Sequence, residues 1–293
     1  MDGPSTRAIL FEMLRSFTTL ARTLNLSRAV RELGSTRQTV RRHIAQLEEA
    51  RGEALFVLED RQYRLTKAGR ESLLDAEDIL AHGMAWLENQ SRRVKGLGHI
   101  AMEKKDGWGF YLQQHPISKV WTQSSPMLRR GLRAWALAAG ELEHPEMEDL
   151  RPYLMVFRKL EQEWVCVEVG QKSSYATWYG WKWERSAIGR ALPSLPGGSP
   201  LAHLLSRHFE EMAAHHSLRY DHIHTQMARG EEGIFEPVNY RRLLMGCRFP
   251  DESFALVSLV ERTYDIEIED LPEERRLSMP AGLAMDDSEI SRE

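Results

Sequence analysis

Residues 10 to 56 constrain the fold more than any other stretch of this chain. Leu10, Leu14, Phe17, Leu20, Ala21 and Leu24 recur at the spacing that gives a helix one buried face. Ser27 stands where a second, short helix would be capped, and Ala29, Val30 and Leu33 continue it. Gly34 breaks that helix. Thr36 is placed to cap a third, with Val40, Ile44 and Leu47 on its inner face. Two helices joined by a short glycine-containing turn make a helix-turn-helix.

The third helix opens with Arg37, Gln38 and Thr39, and Arg41 and Arg42 follow. Arg37 and Arg41 share one face, and Gln38 and Arg42 another. In a helix-turn-helix the amino end of the second helix meets base edges. Arg, Gln and Thr suit guanine, adenine and the thymine methyl. The helix turns acidic at Glu48 and Glu49, so its positive charge lies at the end that would face DNA. A solvated surface helix permits this polarity without requiring it. Net charge adds a contrast. The whole chain carries −4, but residues 1–70 carry 13 Lys and Arg against 8 Asp and Glu, which leaves −9 for the rest. Only the N-terminal part suits a polyanionic partner.

Next comes "ALFVLEDRQYRLTKAG", Ala54 to Gly69. Leu55 to Leu58 and the residues around Tyr63 and Leu65 predict two strands, with Glu59 to Gln62 as the turn. A hairpin after a recognition helix is a wing, from which Arg61 and Arg64 would reach phosphates. The stretches "SRAVREL", "TRQTVRRHIAQLEEARGEALF" and "YRLTKAG" resemble the winged helix-turn-helix of LysR-type transcriptional regulators, nearly without gaps from Ala29 to Gly69. The resemblance covers about a quarter of the chain. It implies double-stranded DNA as partner, Thr36 as cap of the recognition helix, positions 37, 38 and 41 facing bases, and Arg42 as a basic DNA contact. The candidate DNA-binding set is Ser27, Thr36, Arg37, Gln38, Thr39, Arg41, Arg42, Arg61 and Arg64. The family usually has Pro or a small residue at Gln38, which bears on the operator sequence, and an aromatic at Leu26, which is a core exchange.

Thr66 is a good cap for the helix that follows. Leu73, Ala76, Leu80, Met84 and Leu87 form a coiled-coil-like seam. The resemblance implies a dimerisation helix, and an amphipathic helix packed on its own domain is the alternative. A homodimer would present two recognition helices to two half-sites. Lys95 to Gly109 reads as a glycine-rich linker. "SSPMLRRGLRAWALAAGELE" reads as a helix with Leu128, Leu132, Trp135 and Ala136 on one side.

Beyond residue 150 the chain departs from the two-lobed effector domain typical of LysR-type regulators. "YLMVFRKLE", "EWVCVEVG" and the aromatic run "SSYATWYGWKW" are strand-like. "ERSAIGRALPSLPGG" reads as a short helix and loop, and "PLAHLLSRHFEEMAAHHS" as a helix. "LRYDHIHTQMA", "FEPVNYRRLLMGCRF" and "SFALVSLVERTYDIEI" follow as strands. Two strands, a helical middle and three final strands, together with "ERSAIGR", resemble a PAS domain. That implies a sensor or dimerisation module with a pocket between sheet and helices. Tyr175, Trp178, Trp181 and Trp183, with Arg219, Tyr220 and Tyr240, are candidates to line a pocket for a small-molecule effector. Core or interface packing is the other use of such an aromatic run.

Other chemistry finds little purchase. The chain has no glycine-rich phosphate loop, nucleophile elbow or HExxH, and reads as no enzyme. Arg241-Arg242 and Glu184-Arg185 read as surface pairs. His203, His208, His215, His216, His222 and His224 cluster, with His222 and His224 on one strand face, but no metal-ligand spacing accompanies them. No cofactor is named by the sequence, though haem or flavin would suit a redox-sensing alternative. A third alternative is a C-terminal domain that only dimerises or docks a partner protein. With two cysteines, no signal sequence and no long apolar run, the chain reads as cytoplasmic with no membrane partner. The expected architecture is α+β and multidomain: a winged helix-turn-helix at 8–67, a dimerisation helix at 68–95, a linker and helical segment at 96–149, a PAS-like antiparallel sheet with helices at 150–270, and a mobile tail at 271–293.

Overall fold

A computed structural model describes residues 9–59, 62–87, 91–103, 107–122, 126–161, 163–195, 198–229 and 234–285. The chain divides into two compact units, Met1–Glu88 and Asn89–Glu293. In the first, α1 (Leu10–Thr23), α2 (Leu26–Leu33) and α3 (Arg37–Arg51) precede a hairpin of β1 (Phe56–Glu59) and β2 (Gln62–Leu65), then α4 (Lys67–Leu87). The apolar stripe read from the sequence is the core: Phe17, Leu20, Ala29, Val40, Leu47 and Leu55 are buried together. The turn between α2 and α3 forms because Gly34 takes φ +58, where its amide and that of Ser35 close onto Arg31 and Val30 carbonyls. Gly69 is fixed by space, since a Cβ there would lie 2.1 Å from the Leu55 carbonyl oxygen.

Along α4, Leu73, Ala76 and Leu80 pack against the core of their own unit. Ala76 is buried there, while Leu73 and Leu80 are half-buried, so this part of the seam contributes to the core of its own unit. Met84 and Leu87 are exposed, with Ile79 and Trp86.

The second unit is built on an eight-stranded antiparallel sheet among the described residues. Its strands are β3 (Ser91–Val94), β4 (Leu97–Glu103), β5 (Gly109–His115), β6 (Leu154–Leu160), β7 (Glu163–Val169), β8 (Leu218–Arg229), β9 (Ile234–Arg248) and β10 (Phe254–Arg262), in the order β3-β4-β5-β8-β9-β10-β6-β7. The segment from Lys95 to Gly109, expected as linker, contributes all of β4, the first residue of β5 and the turn between β3 and β4. Lys95 at φ +52 and Gly96 at φ +84 form the two-residue turn between β3 and β4, the backbone that a tight hairpin requires.

Short helices α5 (Lys119–Thr122) and α7 (Pro145–Glu148) flank α6 (Pro126–Leu137). On one face of the sheet, Leu128 and Leu132 of α6 pack against Leu243, Met245, Val257 and Leu259. On the other face lie α8 (Ser174–Tyr179), α9 (Trp181–Ala187) and α10 (Gly198–His215). There Ala176, Phe209 and Met212 pack on Phe157, Leu244 and Leu256. The run "SSYATWYGWKW" is thus helical. Ser173 caps α8 through the Ala176 amide at 3.1 Å, and Gly180 at φ +83 separates α8 from α9. The tail is also more ordered than expected: α11 (Glu273–Arg276) forms, and Met279 and Leu283 are buried. Residues 286–293 lie outside the described residues.

Arg241 and Arg242 are buried and not a surface pair. Strand alternation sends Arg242 to Asp221 at 2.7 Å and Arg241 to Asp265. His222 and His224 do share a face, where each is engaged. His224 bonds Asn239 at 2.7 Å. His222 Nδ1 accepts the Glu267 amide at 2.8 Å, so its Nε2–H donates to the Tyr220 hydroxyl at 2.8 Å. No cluster of three or more metal-ligating side chains occurs among the described residues.

Burial, followed by the neighbouring His115 and Arg241, pushes the His222 pKa from 6.5 down to about 2. Above pH 6.5 the ring is neutral folded and unfolded. Below it only the unfolded chain takes the proton, so stability falls as pH drops from 6.5. Urea unfolding of this unit should lose up to about 1.4 kcal/mol per pH unit more in the wild type than in His222→Gln between pH 6.5 and 5. Equal slopes would contradict the assignment.

Candidate nucleic-acid interface

The amino end of α3 is set by local chemistry. Thr36 Oγ1 accepts the Thr39 amide at 3.1 Å and lies 2.9 Å from the Thr39 hydroxyl. This cap fixes where the helix starts and leaves its first turn in solvent. Val40, His43, Ile44 and Leu47 turn inward, so Arg37, Gln38, Arg41 and Arg42 are exposed. His43 anchors the inner face through a 2.8 Å bond to Ser16 of α1. Burial and then Arg42 lower its pKa, keeping the ring neutral.

Asn25 caps α2, accepting the Arg28 amide at 3.1 Å, which corrects the expectation of Ser27. Ser27 lies inside α2 and accepts Arg37 Nη2 at 2.8 Å. That bond ties the first residue of α3 to the preceding helix. Glu48 accepts both the Leu55 amide at 2.8 Å and the Phe56 amide at 3.1 Å, so the acidic end of α3 holds the base of the β1–β2 wing. Arg64 on that wing is exposed and pairs with Glu59 at 3.2 Å, while Arg61 lies outside the described residues.

The pairing pattern distinguishes the arginines. Arg15, Arg22, Arg28, Arg51 and Arg64 each have a carboxylate partner. Among the described residues, Arg31, Arg37, Arg41 and Arg42 have none, nor has Arg70, which donates instead to the Leu65 carbonyl at 2.9 Å. Exposed cations left unneutralised along α2 and the start of α3 are what a phosphate backbone would satisfy. Arg31 was not singled out from the sequence, because its lack of an acidic neighbour depends on the fold.

The expected effector-site residues separate. Tyr175, Trp178 and Tyr240 line a cavity of ≈ 130 Å³ in the second unit. The side chains of Trp181 and Trp183 lie outside the described residues. Tyr220 is on the opposite sheet face, packed with Leu243, because it pairs with that odd-numbered position of β9. Arg219 is drawn to Asp221 at 2.9 Å and is not part of the cavity wall. Arg242 and Arg262 stand on that wall instead.

Residues 11–70 match the family described as "Bacterial regulatory helix-turn-helix protein, lysR family". This segment is a LysR-type helix-turn-helix DNA-binding domain. Among solved structures, Corynebacterium glutamicum OxyR in its oxidized form is 24% identical over 27% of this chain and 26% of that one, with a TM-score of 0.26. The LysR family transcriptional regulator CbnR is 28% identical over 27% of each chain, with a TM-score of 0.26. The CbnR DBD–DNA complex is 28% identical over 27% of this chain and 91% of that one, again with a TM-score of 0.26. The matched part spans about a quarter of the full-length structures. No curated protein matches the chain. No helix among the described residues is long and apolar enough to cross a membrane.

If Thr36 sets the start of α3, Thr36→Ala should cost about 1 kcal/mol, seen as roughly fivefold faster hydrogen exchange at the Thr39 amide, and Thr36→Ser should restore it. Unchanged exchange in Thr36→Ala would contradict the cap assignment.

Proposed function

We propose that this chain is a sequence-specific, DNA-binding transcription regulator that acts as a dimer, with a PAS-like second unit that senses a small molecule. The observation that carries the reading is the amino end of α3. Four exposed arginines without carboxylate partners border a helix whose opposite face is buried in a LysR-type domain. Arg37, Gln38 and Arg41 are the proposed base contacts, and Arg31, Arg42 and Arg64 the phosphate contacts.

Dimerisation is supported by the exposed Ile79, Met84, Trp86 and Leu87 on the second half of α4, more apolar surface than a solvated helix carries. The PAS-like reading is supported by the order of elements: β6 and β7, then α8 to α10, then β8 to β10, with a pocket between the helices and the sheet. A ligand there would alter DNA affinity only to the extent that it prefers one arrangement of the dimer.

Selection from random duplexes should yield a preferred site. Against single-base variants of that site, Arg37→Ala and Arg41→Ala should each lose about 1–3 kcal/mol of discrimination. Arg42→Ala should weaken binding to all sequences alike and lower the salt dependence by about one charge. Wild-type discrimination in both Arg37→Ala and Arg41→Ala, measured by fluorescence anisotropy, would overturn the recognition-helix reading.

A further inference from the structure

We propose that the cavity of the second unit binds a small monocarboxylate with an apolar body about the size of one aromatic ring, its carboxylate held by Arg262. This rests on the sensor reading above and names the ligand class.

The walls set the body of the ligand. Phe157, Trp178, Leu195, Phe209 and Tyr240 line the cavity, and no Asp or Glu is among its described lining residues. Its volume of ≈ 130 Å³ is close to that of an apolar cavity of about 150 Å³ that admits benzene. A single ring or a short aliphatic chain fits this space.

Two buried arginines set the charge. Arg242 is already neutralised by Asp221 at 2.7 Å. Arg262 is not. It is 7% exposed, and every acceptor it has is neutral. Nε donates to the Leu283 carbonyl at 2.8 Å, and Nη1 to the Ser174 carbonyl at 2.7 Å, the Ser174 hydroxyl at 3.0 Å and the Thr177 hydroxyl at 3.0 Å. Nη2 makes no hydrogen bond among the described residues. The charged group that acts on it is another cation, Arg229, which pairs with Glu236 at 3.1 Å. Trp178 lies within 5.4 Å of the Arg229 guanidinium and 5.7 Å of the Arg262 guanidinium. Burial, with Arg229 added, pushes the Arg262 pKa down to about 10, so the group is still a cation at neutral pH.

A buried cation without a counter-charge is costly, and the Coulombic cost is relieved by an anion placed beside it. Nη2 offers the donors for a charge-assisted bond to a carboxylate. Two further polar atoms on the same wall are buried without a partner, the Tyr175 hydroxyl and Arg242 Nε. Burial pushes the Tyr175 pKa up to about 12, so this hydroxyl keeps its proton and is a donor on the cavity wall. A wall with spare donors and no carboxylate selects for an acceptor with negative charge.

The test is isothermal titration of the full-length protein with benzoate, phenylacetate and hexanoate, and with benzyl alcohol as a neutral counterpart. At least one carboxylate should bind tenfold or more tightly than benzyl alcohol. Arg262→Gln should remove that preference. Arg262→Lys, which keeps the charge where Arg262→Gln could disturb folding, should retain it. Ser258→Leu, which fills the cavity, should abolish binding without lowering the unfolding midpoint. Binding of benzyl alcohol as tight as that of the carboxylates, or a preference that survives Arg262→Gln, would overturn the anion assignment and leave the sensor reading standing. Failure of all four compounds to bind would overturn the assignment and count against the sensor reading as well.

Discussion

The second unit depends on one buried carboxylate. Asp221 is fully buried in the middle of the sheet, 2.9 Å from Arg219 on its own strand and 2.7 Å from Arg242 on the next. Burial alone would push its pKa up, but the two guanidiniums outweigh it and hold the group well below the usual carboxylate range. Removing the carboxylate would leave two cations in the interior, a far larger penalty than an exposed pair incurs. The pairing also links β8 to β9 at Asp221↔Arg242, where a slip of one residue would send each charge to the wrong face. It therefore fixes the register of the two longest strands, and with it which side chains reach the cavity.

The same interaction decides the character of that cavity. Because Asp221 is saturated by Arg219 and Arg242, it has nothing to offer Arg262, which stands two strands from β8. In the first unit the logic is reversed at the surface. Arg15, Arg22, Arg28, Arg51 and Arg64 are matched by carboxylates nearby, while Arg31 at the end of α2 and Arg37, Arg41 and Arg42 on α3 are left unmatched. Exposed ion pairs contribute little to stability, so the unmatched arginines cost the fold little and leave charge for a partner.

The helix-turn-helix was legible because its signals are local. The 3.6-residue stripe, Gly34 and Thr36 each act within a few residues, and the structure follows them. Asn25 was missed as the cap of α2 because Ser27, equally suited by type, lay two residues on. The C-terminal errors have another origin. Aromatic residues in "SSYATWYGWKW" resemble a strand only if their neighbours supply a pleated surface, and here the Ser173 cap and Gly180 make two short helices instead. Lys95 and Gly96 looked like linker but form a tight turn, whose flanking strands became visible only through pairing with β5 and β8. Arg241 and Arg242 looked like surface because their partners lie about 20 residues away in sequence. Of the proposed cavity, the aromatic wall was partly legible. Arg262 was not, since its significance is the absence of a carboxylate in three dimensions.

The central claim is that α3 enters the major groove with its amino end toward the bases. Cys166 and Cys247 are both buried, and burial pushes each thiol pKa up to about 12, so neither competes for a thiol-directed label. Gln38→Cys, carrying an iron chelate that cleaves nearby DNA, should cut a selected duplex within the bound site, with the offset between strands that marks the major groove. A protein that still binds the duplex but cuts only outside the site, or with the minor-groove offset, would contradict the account.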